Sequence, residues 1–229
     1  MNTQKVVSII VVILVVAVGG YFAFRYSGKT GTSTVSTAPN ASTTVATVNG
    51  VVISKTVFDA QLETRINTYK TQGVDVTDAT KLAQIKTQLL DDLINNEVVT
   101  QEVAKAGTTV TPAEIESQFQ ALLTQAGGAD GLKKQLTTAN LTEAQLRTNI
   151  AGQLVIQKFL ISNISTSTVT VSDKEIKDFY DANTKDVKNP PALKSVTAQI
   201  KQQLTTNKEQ ILINAFVASL RAKADVKTY

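Results

Sequence analysis

The chain has 229 residues, 42% apolar and 18% charged, with 23 Lys and Arg against 19 Asp and Glu for a net charge of +4. It contains no His and no Cys, which excludes Ser-His-Asp catalysis, a thiol nucleophile, disulfides and His- or Cys-ligated metal sites. The basic excess would suit an acidic partner, but Lys5, Arg25 and Lys29 stand without an acid in the first 44 residues, and the other 20 basic residues face all 19 acids; with no dense basic stripe, no nucleic-acid partner is expected.

Val6 to Phe24 reads VVSIIVVILVVAVGGYFAF, apolar except for Ser8 and bracketed by Lys5 and Arg25. As a helix these residues span about 28 Å, close to the hydrocarbon thickness of about 30 Å. Ala17-Val18-Gly19 offers the small-x-small site of a cleaved signal peptide. The apolar run continues through Phe24, and that length favours an uncleaved anchor. Residues 1–26 are therefore expected to form a transmembrane signal anchor, with 6–24 in the membrane. In the stretch 27–44, Ser, Thr and Gly fill 12 of 18 positions. Such a segment cannot bury enough apolar surface to fold and is expected to be a flexible linker.

Residues 45–229 read as the folded part. Asn49-Gly50 between short β-branched runs predicts a hairpin over 45–53. A helix follows from Ser54, with Val57, Leu62, Ile66 and Tyr69 on its apolar side. Lys81–Ala106 carries apolar residues at steps of three and four, from Leu82 and Ile85 through Leu93 to Val98, and Gly107 stops it. Thr111-Pro112-Ala113-Glu114 combines a capping box with Pro at the first helical position and opens a helix with Ile115, Phe119, Leu122 and Leu123 in its stripe. Gly127-Gly128 and Gly131 read as its stop and a turn. Thr142-Glu143-Ala144-Gln145 is a second capping box, before Leu146, Ile150, Leu154 and Phe159. Ser172-Asp173-Lys174-Glu175 is a third, before Ile176 and Phe179. Asn189-Pro190-Pro191 breaks the chain. A last long helix is predicted from about Ala192 to Ala224, with a short strand over 225–229. The fold class is mainly α: a multi-helix domain with a small β-hairpin and terminal strand, preceded by one transmembrane helix.

Little here points to chemistry. Asp91-Asp92 are helix neighbours pointing about 100° apart and do not converge. The run from Asp181 to Asp186 lacks the central Gly and distal Glu of a calcium loop. No strand–turn–helix motif frames a Ser or Lys nucleophile, and no glycine loop cradles phosphate. The apolar stripes read first as core. They also fit a partly open groove holding another polypeptide, for which Phe119, Leu123, Leu132 and Phe159 are the candidates.

Four segments in order carry a resemblance: ATVNGVVISKTVFDAQL at 46–62, LLDDLINNEVVTQEVAKAGTTVTPAEIESQF at 89–119, LTEAQLRTNIAGQLVIQKFL at 141–160 and VSDKEIKDFYDAN at 171–183. Together they resemble the N-terminal chaperone domain of the SurA/PrsA group of extracytoplasmic folding factors. The resemblance implies a SurA N-terminal-like helical domain over 45–229, whose final helix and terminal strand return to the hairpin. In that group a parvulin-type isomerase domain commonly follows the last of these motifs. Here about ten residues separate Asn183 from Leu193, too few for such a domain, and the His and Cys that the resemblance would lead one to expect in its active site are absent. The expectation is a non-enzymatic, membrane-anchored chaperone. It would sit in the cytoplasmic (inner) membrane as a single-pass protein with its C-terminal domain outside. Its partners would be unfolded or secreted polypeptides, with no cofactor, metal or small-molecule substrate. Two rivals are an envelope scaffold binding one folded partner and a peptidyl-prolyl isomerase.

Overall fold

The computed structural model describes residues 43–139, 141–164 and 169–229. The expected membrane anchor and all but the end of the expected linker lie outside them. Among the described residues no helix is long and apolar enough to cross a membrane.

β1 (Thr44–Val48) and β2 (Val51–Ser54) form the hairpin around Asn49-Gly50. Both turn residues have positive φ, 51° and 81°, as a type I′ turn requires, and Asn-Gly adopts it at little steric cost. β1 begins at Thr44, so the last residue assigned to the linker belongs to the strand. It is also the middle strand: the sheet order is β2-β1-β3, with β3 (Val226–Thr228) antiparallel to β1 and Val48 opposite Val226. The strand expected near the C-terminus thus forms and returns to the hairpin.

Seven helices follow among the described residues. α1 (Lys55–Thr71) is capped by Ser54, whose hydroxyl accepts from Val57 N–H. α2 (Ala79–Ala106) ends at Gly107 with φ 63°, the left-handed stop that glycine supplies. α3 (Pro112–Gln125), α5 (Glu143–Asn163) and α6 (Asp173–Thr184) each begin at a reciprocal capping box, at Thr111, Thr142 and Ser172. α4 (Ala129–Thr138) lies where the sequence suggested only a stop and a turn. Gly127 and Gly128 do end α3, but Gly131 sits in the first turn of α4, where a Cβ would meet the Ala126 carbonyl oxygen at 1.8 Å. α7 (Leu193–Arg221) stops short of the expected Ala224.

Three apolar clusters hold these elements. Under the sheet, Ala46, Val48 and Ile53 meet Leu89, Leu93, Ile94 and Val98 of α2, all at most 2% exposed. A second cluster joins Phe119 of α3, Leu132 of α4, and Leu146 and Ile150 of α5. A third joins Val99 and Val103 of α2 with Phe159 of α5 and has Phe216, Val217 and Leu220 of α7 against it. α2 runs through two of the three and is the spine of the fold. A polar clamp fixes the hairpin to it. Gln101 Nε2 donates to the Val48 carbonyl (3.0 Å) and to Glu97 (2.7 Å), while Gln101 Oε1 accepts from Asn49 Nδ2 (2.7 Å). Asn49 Oδ1 in turn accepts from the N–H of Asp225 (2.8 Å).

Candidate functional site

A single helical face on each of α2, α5 and α7 builds a groove with a cavity volume of about 770 Å³. The α5 face is Gln153, Leu154, Ile156, Gln157 and Leu160; the α7 face is Gln210, Ile213, Asn214, Val217, Ala218 and Arg221. Steps of three and four keep each set on one side of its helix. α2 adds Asn95, Asn96 and Val99, and α3 adds Gln118. Val99 is buried at the bottom, Leu154, Ile156, Leu160, Ile213 and Val217 are half-buried, and Gln157, Gln210, Asn214 and Ala218 are exposed at the mouth. The result is an apolar floor rimmed by primary amides.

The groove carries one charged side chain. Arg221 stands at its edge, bound to Asp91 of α2 (2.8 Å) and donating to Asn95 Oδ1 (3.3 Å). Gln210 Nε2 donates to Asn214 Oδ1 (2.9 Å). The side chains of Asn96, Gln118, Gln153 and Gln157 make no hydrogen bond to another described residue. Their donors and acceptors face solvent or whatever enters.

The four residues proposed from sequence lie behind this groove rather than on it. Phe119 and Leu132 are buried in the second cluster, and half-buried Leu123 packs against that cluster. Phe159 is buried in the third, its ring 6.0 Å from that of Phe216. The Arg147 guanidinium covers the Phe119 ring at 3.8 Å and pairs with Glu116 and Glu143. These aromatics support the groove walls. Sequence reasoning missed the wall itself, although the recurrence of Gln or Asn beside an aliphatic residue on both α5 and α7 is a readable signal.

Among the described residues no acid–base or metal constellation emerges. Asp91 and Asp92 diverge, one to Arg221 of α7 and the other to Arg65 of α1 (2.8 Å). Asp181 lies within α6, tied to Lys177 one turn earlier. Among the described residues no group of three or more carboxylates could hold a metal ion. The strongest electrostatic perturbations are structural. The Lys158 ammonium, helped by Thr111 N–H and Oγ1–H, holds Glu114 at about 2, and Lys208 with Ser172 does the same to Glu175, also at about 2. In both pairs the capping-box glutamate also receives a lysine from another helix.

Comparison with known proteins gives this geometry a context. Residues 1–160 match the model of the SurA-like N-terminal domain. Foldase protein PrsA of Clostridium kluyveri, in two strains, is 27% identical over 187 residues, which cover 73% of this chain and 54% of the relative. The chain thus spans about half the length of the curated relatives it matches. A solved structure, from work on the SurA-like chaperones PEB4 and Cj1289 of Campylobacter jejuni, aligns with a TM-score of 0.52 at 14% identity, covering 82% of this chain and 99% of that one. At that identity the likeness is one of fold.

Proposed function

The chain belongs to the SurA-like N-terminal domain family, and on that footing we propose that it is a membrane-anchored extracytoplasmic chaperone that shields unfolded or secreted polypeptides in the groove between α2, α5 and α7, without isomerase activity. The observation that carries this reading is the groove: a cavity of about 770 Å³ whose aliphatic walls stay half-exposed in a folded protein. Apolar surface left open in this way gains free energy when another apolar chain covers it, at roughly 25 cal/mol per Å². The chaperone and foldase names of the relatives support the same reading. The organisation we propose is an anchor at 1–26, a linker from 27 to about 43 and the helical domain beyond it. Lys5 stays on the cytoplasmic side.

Binding here uses burial and neutral hydrogen bonds, so it needs neither ATP nor a metal. The protein is expected to slow aggregation of a chemically unfolded client with chelator present and nucleotide absent, and to do so almost equally at low and high salt. Ile213→Asp, which puts a charge in the groove wall, is expected to abolish that protection. Undiminished protection by this variant would refute the groove as the client site. A tetrapeptide prolyl-isomerisation assay is expected to stay at background; a rate above it would make the protein an enzyme.

A further inference from the structure

The composition of the groove rim goes beyond a statement that something apolar binds. Seven of the lining side chains are Asn or Gln, and the one charged residue is already paired with Asp91. Primary amides offer two donors and an acceptor on one side chain and no net charge. That is the complement of a peptide group, which must have both its N–H and its C=O satisfied when it leaves water. A rim built to select side chains would carry charges or deep single pockets. This one is neutral and repetitive.

The spacing fits as well. Gln153 and Gln157 on α5, and Gln210 and Asn214 on α7, are each four residues apart on one helix face, which is about 6 Å along the axis. An extended chain repeats its same-side peptide groups every two residues, about 6.6–6.8 Å. Successive amides on one wall therefore meet successive peptide groups of a strand-like segment. Alternate side chains of that segment then point down to Val99, Leu154 and Val217. A helical ligand would present no such groups, because its peptide bonds are satisfied internally.

We propose that the amide rim recognises the main chain of an extended, uncharged segment of unfolded polypeptide, and that the groove is for this reason tolerant of client sequence. The proposal rests on the groove being the client site. The test uses the full chain in detergent micelles and two probes: a short neutral peptide of alternating apolar and polar residues, and the same peptide N-methylated at alternate positions to remove N–H donors without changing side chains. N-methylation is expected to weaken binding about tenfold, the loss of roughly two net hydrogen bonds. The double variant Gln153→Leu, Gln157→Leu is expected to bind the unmodified peptide with similarly reduced affinity and to lose most of its discrimination between the two probes. An unchanged melting temperature checks its folding. Equal affinity of the unaltered protein for the two peptides overturns main-chain recognition and leaves the groove reading standing. Binding of the unmodified peptide that is insensitive to Ile213→Asp overturns the groove reading itself. Photo-crosslinking from a benzophenone amino acid at position 157 identifies the occupant. An adduct with the peptide supports the proposal; an adduct with a second copy or with residues 1–42 of the same chain overturns it.

Discussion

Under the sheet, Leu89, Leu93 and Ile94 of α2 are 1% exposed and closed on every side; beside them on the same helix, Asn95 and Asn96 face a groove whose aliphatic walls remain half-open. Both regions carry Leu, Ile and Val, and although the groove adds seven amide side chains, the main difference is not in the aliphatic residues. It lies in what covers each face. The hairpin, α1 and the returning β3 close the first, whereas α5 and α7 wall the second and no described element lies over the top. One helix thus has a sealed side and an open one.

That division makes sharp expectations. Leu93→Ala leaves a cavity in the sealed region and is expected to cost about 2–5 kcal/mol in chemical denaturation. A loss under about 1 kcal/mol would mean that this core does not carry the fold. Gly131→Ala drives a methyl into the Ala126 carbonyl oxygen at 1.8 Å. It should cost about 1–3 kcal/mol, with amide exchange accelerated in α4 before the sheet. Ile213→Ala, on the groove wall and outside all three clusters, should change stability by no more than about 0.5 kcal/mol. The same variant should weaken client binding about fivefold through lost burial. If instead it destabilises the fold as much as Leu93→Ala, the two regions are not distinct. The smallest effect concerns acid. Glu114 and Glu175 are held at about 2, below their ordinary 4.5. Their contribution is present in full above pH 4.5 and is lost as pH falls from there towards 2. NMR titration of the two carboxyls should show them ionised at pH 3.5, with client affinity flat between pH 5 and 8 because the groove holds no titrating rim group.

The local signals are largely legible in the sequence. Asn49-Gly50, the boxes at Thr111, Thr142 and Ser172, and the Gly107 stop each act within four residues, and each forms as read. α4 is less legible. Gly128 gives it no side-chain cap, Gly131 sits in its first turn, and its apolar stripe is only Leu132 and Leu136, so its own ten residues announce a helix weakly. The groove was hidden for a different reason. Its walls come from helices more than fifty residues apart in sequence, such as Val99 and Leu154. Whether an apolar stripe is covered or open is decided by the third helix, not by the stripe. Phe119, Leu123, Leu132 and Phe159 were read from the apolar stripes, and a stripe alone does not tell a side chain that packs inward from one that stays open.

The placement of β1 between β2 and β3 also sets an order of events. Asn49 and Asp225, which clasp each other at the turn, are 176 residues apart. A chain emerging from its N-terminus can make the hairpin and start α2 early. It cannot close the sheet until residues 226–228 are free. Contacts of such long range are slow to form because their loop entropy comes due first. Closure of the sheet therefore waits until α7 has been made, and the free edge of β1 stays available for mispairing until then.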